Sequence, residues 1–347
     1  MGRGPAAQPV VVVATVDADA RVTVRERVPL ADAFGAFPRL AALRSGGVVV
    51  AWRDGRSGSR RARVRVATFD GRRFASAPRT AGTDAAQISL AARGSGAAVA
   101  WVGALRPRIR KTRLSVPRAR PRPLTVRALD SRGLPTGAGS VVARDVDATT
   151  RLAGAPDGRV VAAWVRPQRI RPYPGEERGD APPPSAYVDP VAFTRQVLPR
   201  VLPARPIGGA STFPAGLPSV AFAGPGRAVA ALRTSVRGGV PAFDVVSAGS
   251  DAGGPWSNPQ PVAHLGFSRF DPLVVAPGSG PVVVYSALVP VGGAPRWTVA
   301  ASDASGPQAL GTTSAGDGRG ITVARSGERV LVAWPSATGG VEVAERG

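Results

Sequence analysis

From Pro38 to Asp54 the chain reads PRLAALRSGGVVVAWRD: a short apolar run, a polar turn with glycines, and a second apolar run ending on a tryptophan. That pattern predicts a strand, a tight turn and a second strand. It returns five more times. Gln87–Ala91 leads to Trp101, Thr150–Gly154 to Trp164 with Gly158 at the turn, and Pro218–Phe222 to Leu232. Asp271–Val275 leads to Tyr285, and Ile321–Ala324 to Trp334. The copies stand roughly 56 residues apart on average, close to the ~40–50 of propeller blades and longer than helical solenoid repeats. No sustained 3.6-residue periodicity occurs, which excludes an ankyrin or tetratricopeptide array.

A second hairpin lies between copies. It shows as RVRVATFDGRRFASA, LTVRALDSRGLP, FDVVSAGSDAGGPWSNP and WTVAASDASGPQAL, and at the start of the chain as VVVVATVDADARVTV. Each full repeat is then four antiparallel strands, one propeller blade. The expectation is an all-β chain folded as one β-propeller domain over residues 1–347, with six blades. The last repeat supplies two clear strands at the C-terminus, so the N-terminal hairpin is expected to provide its outer pair and close the ring, removing the open edge. The C-terminal stretch GGVEVAERG competes for that place as a third strand, which keeps seven blades open.

The turns SDAGGPW (Ser250–Trp256), SDASG (Ser302–Gly306) and DGRRF (Asp70–Phe74) resemble the Asp-boxes of sialidase-like, BNR-repeat propellers, in degenerate form. The resemblance implies that these turns are folding elements on the face opposite the active site. It also implies that Arg39, at the start of an innermost strand, stands near a member of the family's carboxylate-clamping arginine triad. Arg151 holds the same column two repeats on, Arg269 is a third candidate, and Asp54 is placed to mimic an acid group. An arginine fork suits a carboxylate because it bonds both oxygens at once.

The family's chemistry also needs a tyrosine nucleophile with a glutamate partner. Tyr285 occupies a column that expects a packing residue, and Tyr173 and Tyr187 lie in a proline-rich insertion. None of the six glutamates aligns with the top end of an inner strand. Trp52, Trp101, Trp164 and Trp334 read as packing between blades. The GxGxG run at Gly316, Gly318 and Gly320 opens no helix, so it reads as a turn and not a dinucleotide loop.

Composition narrows the chemistry further. There is no cysteine, and His264 is the one histidine, read as a loop residue, so neither a cofactor nor a metal site is expected. The longest apolar run near the start, VVVVATV, is far short of the ~20 residues that cross a bilayer, and no signal peptide is visible. An extracytoplasmic or cell-envelope setting is the expectation, with a cytoplasmic one open.

Charge is the unusual feature: 45 Lys and Arg face 23 acidic residues, a formal net charge of +22, and Lys111 is the one lysine. Much of it sits in two proline-rich insertions, about 105–123 and 166–186. The first carries Arg106, Arg108, Arg110, Lys111, Arg113, Arg118, Arg120 and Arg122; the second carries Arg169 and Arg171. Both follow the second strand of a repeat, the end where the innermost strand begins. A field of this sign favours anionic partners and makes their binding salt-sensitive.

The residues therefore favour a non-catalytic, monomeric binding protein that takes an acidic glycan or another polyanion through these arginines. The alternatives are a sialidase-like glycoside hydrolase or polysaccharide lyase working in the central cavity, and a scaffold for protein partners. Nucleic acid is disfavoured because aromatic residues do not interleave the arginine runs, Tyr173 excepted.

Overall fold

A computed structural model gives the fold and describes residues 9–16, 21–30, 38–55, 61–103, 122–146, 150–166, 191–207, 216–224, 226–235, 243–251, 254–266, 271–291, 294–314 and 320–346. Among these every regular element is a β-strand, 25 in all. The runs are rich in valine, alanine and aromatic residues, which suit a pleated surface, and glycine-bearing turns separate them.

The chain begins with a two-stranded hairpin, β1 (Val10–Val16) and β2 (Val22–Pro29). Antiparallel four-stranded sheets follow. The first joins β3 (Arg39–Ala42), β4 (Val48–Asp54), β5 (Arg63–Phe69) and β6 (Arg79–Thr83). The second joins β7 (Ala85–Arg93), β8 (Gly96–Gly103), β9 (Arg122–Leu129) and β10 (Pro135–Val146). The third joins β11 (Thr150–Gly154), β12 (Val160–Arg166), β13 (Val191–Leu198) and β14 (Arg205–Pro206).

The fourth sheet joins β15 (Ser219–Phe222), β16 (Arg227–Ser235), β17 (Phe243–Asp251) and β18 (Gln260–Gly266). The fifth joins β19 (Leu273–Val275), β20 (Val282–Val291), β21 (Ala294–Asp303) and β22 (Gly306–Thr312). The last has three strands: β23 (Thr322–Ser326), β24 (Arg329–Pro335) and β25 (Val341–Arg346). In every sheet the order in space follows the order in sequence, the meander from which propeller blades are made.

The six repeated strand pairs are the first and second strands of these six sheets. GGVEVAERG forms the third strand of the last one, and among the described residues β1 pairs with β2 alone. The hairpin is thus a sheet of its own where an outer pair for the last repeat was expected. His264, expected in a loop, lies in strand β18 with its backbone opposite Asp244.

Contacts sort the chain into two compact units, residues 1–160 with 197–199, and 161–196 with 200–347. In the first unit, β4 explains why a half-repeat can be apolar without alternation. Val49 and Ala51 point to one face and pack with Val64, Val66, Ile88, Val99 and Trp101. Val50 and Trp52 point to the other and pack with Ala67, Phe69 and the hairpin residues Val11, Val13 and Leu30. Both faces of the strand are buried, so its sequence is a continuous apolar run.

The second unit repeats the device in β20. Val282 and Val284 join Val330, Val332 and Trp334 on one side, while Val283 and Tyr285 join Val229 and Ala231 on the other. The repeat's bulky column is a packing column in both units.

Aspartates hold three of the turns between third and fourth strands. Asp70 Oδ1 accepts the backbone N–H groups of Arg72 and Arg73 at 2.8 and 2.9 Å. Asp130 Oδ1 accepts those of Arg132 and Leu134 at 2.9 and 2.8 Å, and Asp303 Oδ1 accepts that of Ser305 at 2.8 Å. In the SDAGGPW turn the Ser250 hydroxyl donates to the Gly254 carbonyl, and Trp256 Nε1–H donates to Thr194 Oγ1 at 2.6 Å. In these four sheets the turn lies at the end opposite the start of the first strand.

Candidate functional site

Antiparallel pairing puts the start of each first strand beside the end of its second. In the first unit Arg39 opens β3 and pairs with Ala51, while Trp52, Arg53 and Asp54 run on past it. Ala85 opens β7 opposite Gly103, the last residue of β8. Thr150 and Arg151 open β11. The inner strands β7 and β11 run side by side in the same direction: Leu152 N–H donates to Ser89 Oγ, and further along Gly94 N–H donates to the Ala155 carbonyl, both at 3.0 Å. Their approach is so close that a Cβ added at Gly154 would fall 1.8 Å from the Ala92 carbonyl oxygen. Arg39, Asp54 and Arg151 therefore belong to one end of the first unit, as their columns in the repeat predicted.

Their environments differ. Arg39 is open to solvent and donates through Nη1 to the Pro38 carbonyl at 3.2 Å. Enough protein still surrounds its head to lower its pKa by desolvation. The guanidinium stays charged at neutral pH. Arg151 and Asp54 are half-buried. Arg122 opens β9, also half-buried. Arg106, Arg108, Arg110, Lys111, Arg113, Arg118, Arg120, Arg169, Arg171 and Arg269 lie outside the described residues, as do Tyr173 and Tyr187.

Two arginines matter here that the sequence reading passed over. Arg53 is only 2% exposed, and its Nε donates to the Ala85 carbonyl at 2.8 Å. It ties the end of β4 to the start of the next sheet's inner strand. In the second unit Arg233, 9% exposed, does the same for β16: its Nη2 stands 3.7 Å from Asp271 Oδ1, just before β19. Burial lowers the Arg233 pKa, and the Asp271 charge partly restores it. Gly216 makes room, since a Cβ there would lie 1.7 Å from Asp271 Oδ1.

Both arginines occupy the same column of the repeat, directly after the bulky residue. That coincidence was a signal available in the sequence. A second tie also recurs, because Ser219 Oγ accepts the Val274 N–H at 3.0 Å as Ser89 Oγ accepts that of Leu152.

Backbone geometry marks the same end. Asp84, just before Ala85, has φ of +60°, the sole non-glycine residue with positive φ among the described residues. Aspartate tolerates that region better than most residues, yet it remains a strained choice. In the second unit, Arg166 at the end of β12 lies 4.6 Å over the Phe193 ring, which stacks on Trp164 at 6.0 Å.

The described acids and phenol are placed for other tasks. Tyr285 is buried in the packing column, where desolvation raises its pKa against a smaller opposing effect of Arg346. Glu26 accepts the Phe74 N–H, Glu328 accepts the Ser279 N–H, Glu342 accepts the Ser336 hydroxyl, and Glu345 pairs with Arg329. No described glutamate stands at the start of an inner strand. Among the described residues no three His, Cys, Asp or Glu side chains come together as a metal site, and no helix is long and apolar enough to cross a membrane.

No protein-family model matches the chain. No curated protein matches it either. Solved structures do show similar folds. A protein of unknown function from Dyadobacter fermentans DSM 18053 is 15% identical with a TM-score of 0.50, over 90% of this chain and 93% of that one. The Trypanosoma rangeli sialidase in complex with the inhibitor DANA is 12% identical at 0.48, over 96% of this chain and 57% of that one. The Penicillium chrysogenum α-L-arabinanase complexed with arabinobiose is 12% identical at 0.47, over 99% and 98%. Identities this low speak to fold alone, and the two enzymes carry no argument about chemistry here.

Proposed function

We propose that this chain is a sialidase-like β-propeller that binds an acidic glycan, without cleaving it, at the arginine-bearing end of its inner strands. Six blades, degenerate Asp-box turns and a cell-envelope setting are parts of the same proposal. The observation that carries it is the placement of Arg39 and Arg151 at one end of the first unit, on the inner strands either side of β7, with Arg39 exposed and no described tyrosine or glutamate beside them. Such an end supplies cationic forks for carboxylate or sulfate groups, and among the described residues it holds no tyrosine nucleophile.

The test is binding of the purified chain to acidic and neutral glycans at low and high salt. Retention on the acidic set alone, reduced about tenfold or more by Arg39→Ala or Arg151→Ala, is the expected result, because a hydrogen bond to a charged group contributes about 1.5–3 kcal/mol. Equal binding of neutral glycans, or indifference to both substitutions, removes the proposal.

One observation favours a second reading. Asp54 and Asp84 bring carboxylates to the same end as Arg39, the ingredients of a glycoside hydrolase or lyase. Release of free sugar from an acidic glycoside, abolished by Asp54→Asn, would establish it. A chain that binds no glycan and cleaves none would be a scaffold for protein partners.

A further inference from the structure

The outer strands of the first two sheets, β6 and β10, lie against each other with the Trp101 ring of β8 between them. A Cβ added at Gly82 would fall 2.4 Å from Trp101 Cζ2, and one at Gly139 would fall 3.0 Å from Trp101 Cη2. The strand registers fix which side chains enter this gap. Arg79 pairs with Val66 and Arg127 with Val99, and both valines belong to the core that the two sheets share. Opposite residues of an antiparallel pair share a face. Arg79 therefore faces the second sheet, and Arg127 faces the first.

The hydrogen bonds agree. Arg127 Nη1 donates to the Ala81 carbonyl at 2.8 Å, crossing from one sheet to the other. Ala81 is two residues beyond Arg79, about 7 Å along β6. Arg127 Nε is buried without a partner, and Nη2, neither bonded nor buried among the described residues, stays open. Arg79 is exposed, and among the described residues its guanidinium has no hydrogen bond or ion pair.

No acid stands in the gap to offset the two charges. The strands β5, β6, β8 and β9 contain no aspartate or glutamate, and Asp145 of β10 lies near that strand's far end. Asp130, just beyond β9, commits its Oδ1 to the amides of Arg132 and Leu134. Asp84 lies roughly 16 Å along the chain from Arg79. The other arginines on these faces are Arg53, tied to the Ala85 carbonyl, and Arg39 on the innermost strand.

The backbone of β10 is irregular at this same place. Its register slips between Thr136 and Ser140, which leaves exposed Gly137, Ala138 and Gly139 outside the pairing with β9. Val126 and Ala128 pair with Ser140 and Thr136, so Arg127 stands directly opposite the slip. Gly137 takes φ of +58° there.

We propose that this gap is a binding site for one phosphate group, held between Arg79 and Arg127. Two fixed positive charges match a phosphate dianion, whose second pKa is about 6. A tetrahedral group also turns oxygens toward both walls, whereas a planar carboxylate is satisfied by a single arginine fork. The site lies on the outer strands and does not rest on the inner-strand reading above.

The test is a calorimetric titration of the full chain with sodium phosphate, compared with sodium acetate and sodium chloride at equal ionic strength. Saturable binding of phosphate alone is expected. Arg79→Gln should weaken it about tenfold or more, the fold-change that one hydrogen bond to a charged group carries. Arg39→Ala and Arg72→Gln should leave it unchanged. The unliganded Arg79→Gln protein should keep the parent's unfolding midpoint, so that lost affinity is not lost folding. From about pH 7.5 down to about pH 5 the affinity should fall as phosphate takes up its second proton, because the charged side chains facing the gap are arginines and do not titrate there.

The absence of saturable binding, equal binding of acetate, or full affinity in Arg79→Gln overturns the proposal. Loss in Arg39→Ala with Arg79→Gln unaffected overturns it too, and moves the anion to the inner strands. An affinity that stays flat with pH overturns the choice of a dianion. Glucose 6-phosphate as a second probe distinguishes the source: tighter binding than inorganic phosphate upholds the site as one for a phosphate ester, and weaker binding upholds it as one for the free ion.

Discussion

The two units are built from one repeat, but they spend arginine differently. Among the described residues the first unit has 19 arginines against seven carboxylates, and the second has ten against seven. In the second unit Arg233, Arg325, Arg329 and Arg346 each meet an aspartate or glutamate, and Arg325 and Arg346 also donate to backbone carbonyls of the preceding sheet. There arginine is a fastener. In the first unit Arg53, Arg93 and Arg127 fasten in the same way, each to a carbonyl of a neighbouring sheet. The surplus arginines stand exposed on β2, β5 and β6. Composition alone does not distinguish a cation that holds a fold from one that meets a partner; the presence of a nearby acceptor does.

The comparison is tested most severely at the shared packing column, where the units should behave alike. Trp52→Ala and Trp334→Ala each remove a fully buried ring and are expected to cost about 3–5 kcal/mol, read as a shift in the denaturant midpoint. A cost under 1 kcal/mol in either unit would show that the column is not equivalent between them.

The next test separates fasteners from surplus. Arg53→Ala removes a buried donor and strands the Ala85 carbonyl, and Arg233→Ala leaves Asp271 without its partner; each is expected to destabilise by about 1–3 kcal/mol. Arg63→Ala and Arg79→Ala should stay within about 0.5 kcal/mol. If Arg53→Ala is as mild as Arg63→Ala, the distinction fails.

Acid should act on the fasteners of the second unit. The Ser305 hydrogen bonds and the Arg346 guanidinium hold the Asp303 carboxyl below its ordinary value. A carboxylate with a lower pKa when folded contributes stability that is present above its unfolded value, near 3.9, and lost as pH falls through the folded one. Unfolding midpoints measured downward from pH 5 should therefore drop, and Asp303→Asn should flatten that drop. An unchanged profile in the variant would assign the acid sensitivity elsewhere.

The smallest effect is expected at Arg329, which meets Glu345 in an exposed pair at 3.3 Å. Arg329→Ala should change stability by less than about 1 kcal/mol, measured by chemical denaturation in low and high salt.

Much of the fold could be read from the residues in order. The repeated VVVAW-type strands, the glycine turns and the aspartate turns are local signals: alternation over two faces and turn geometry act within a few residues of each other, so they survive in one dimension. The bulky column was legible for the same reason, and so was the placement of Arg39 and Arg151 at one end, which follows from strand direction once the meander is recognised. The last sheet was ambiguous because Val341–Val343 is as strand-like as the N-terminal hairpin, and local pattern does not choose a partner.

What tertiary structure decided lies between residues far apart in sequence. Arg53 reaches Ala85, and Arg233 reaches Asp271, across sheets. Gly154 is small because β7 crowds it, and Asp84 holds a positive φ beside the end it shapes. The join between β2 and the β5–β6 hairpin, through Glu26 and Phe74, links segments far apart in sequence. Each of these depends on which groups meet in space. A sequence determines strands through local pattern, but a buried charge and a crowded glycine exist only once the sheets have packed.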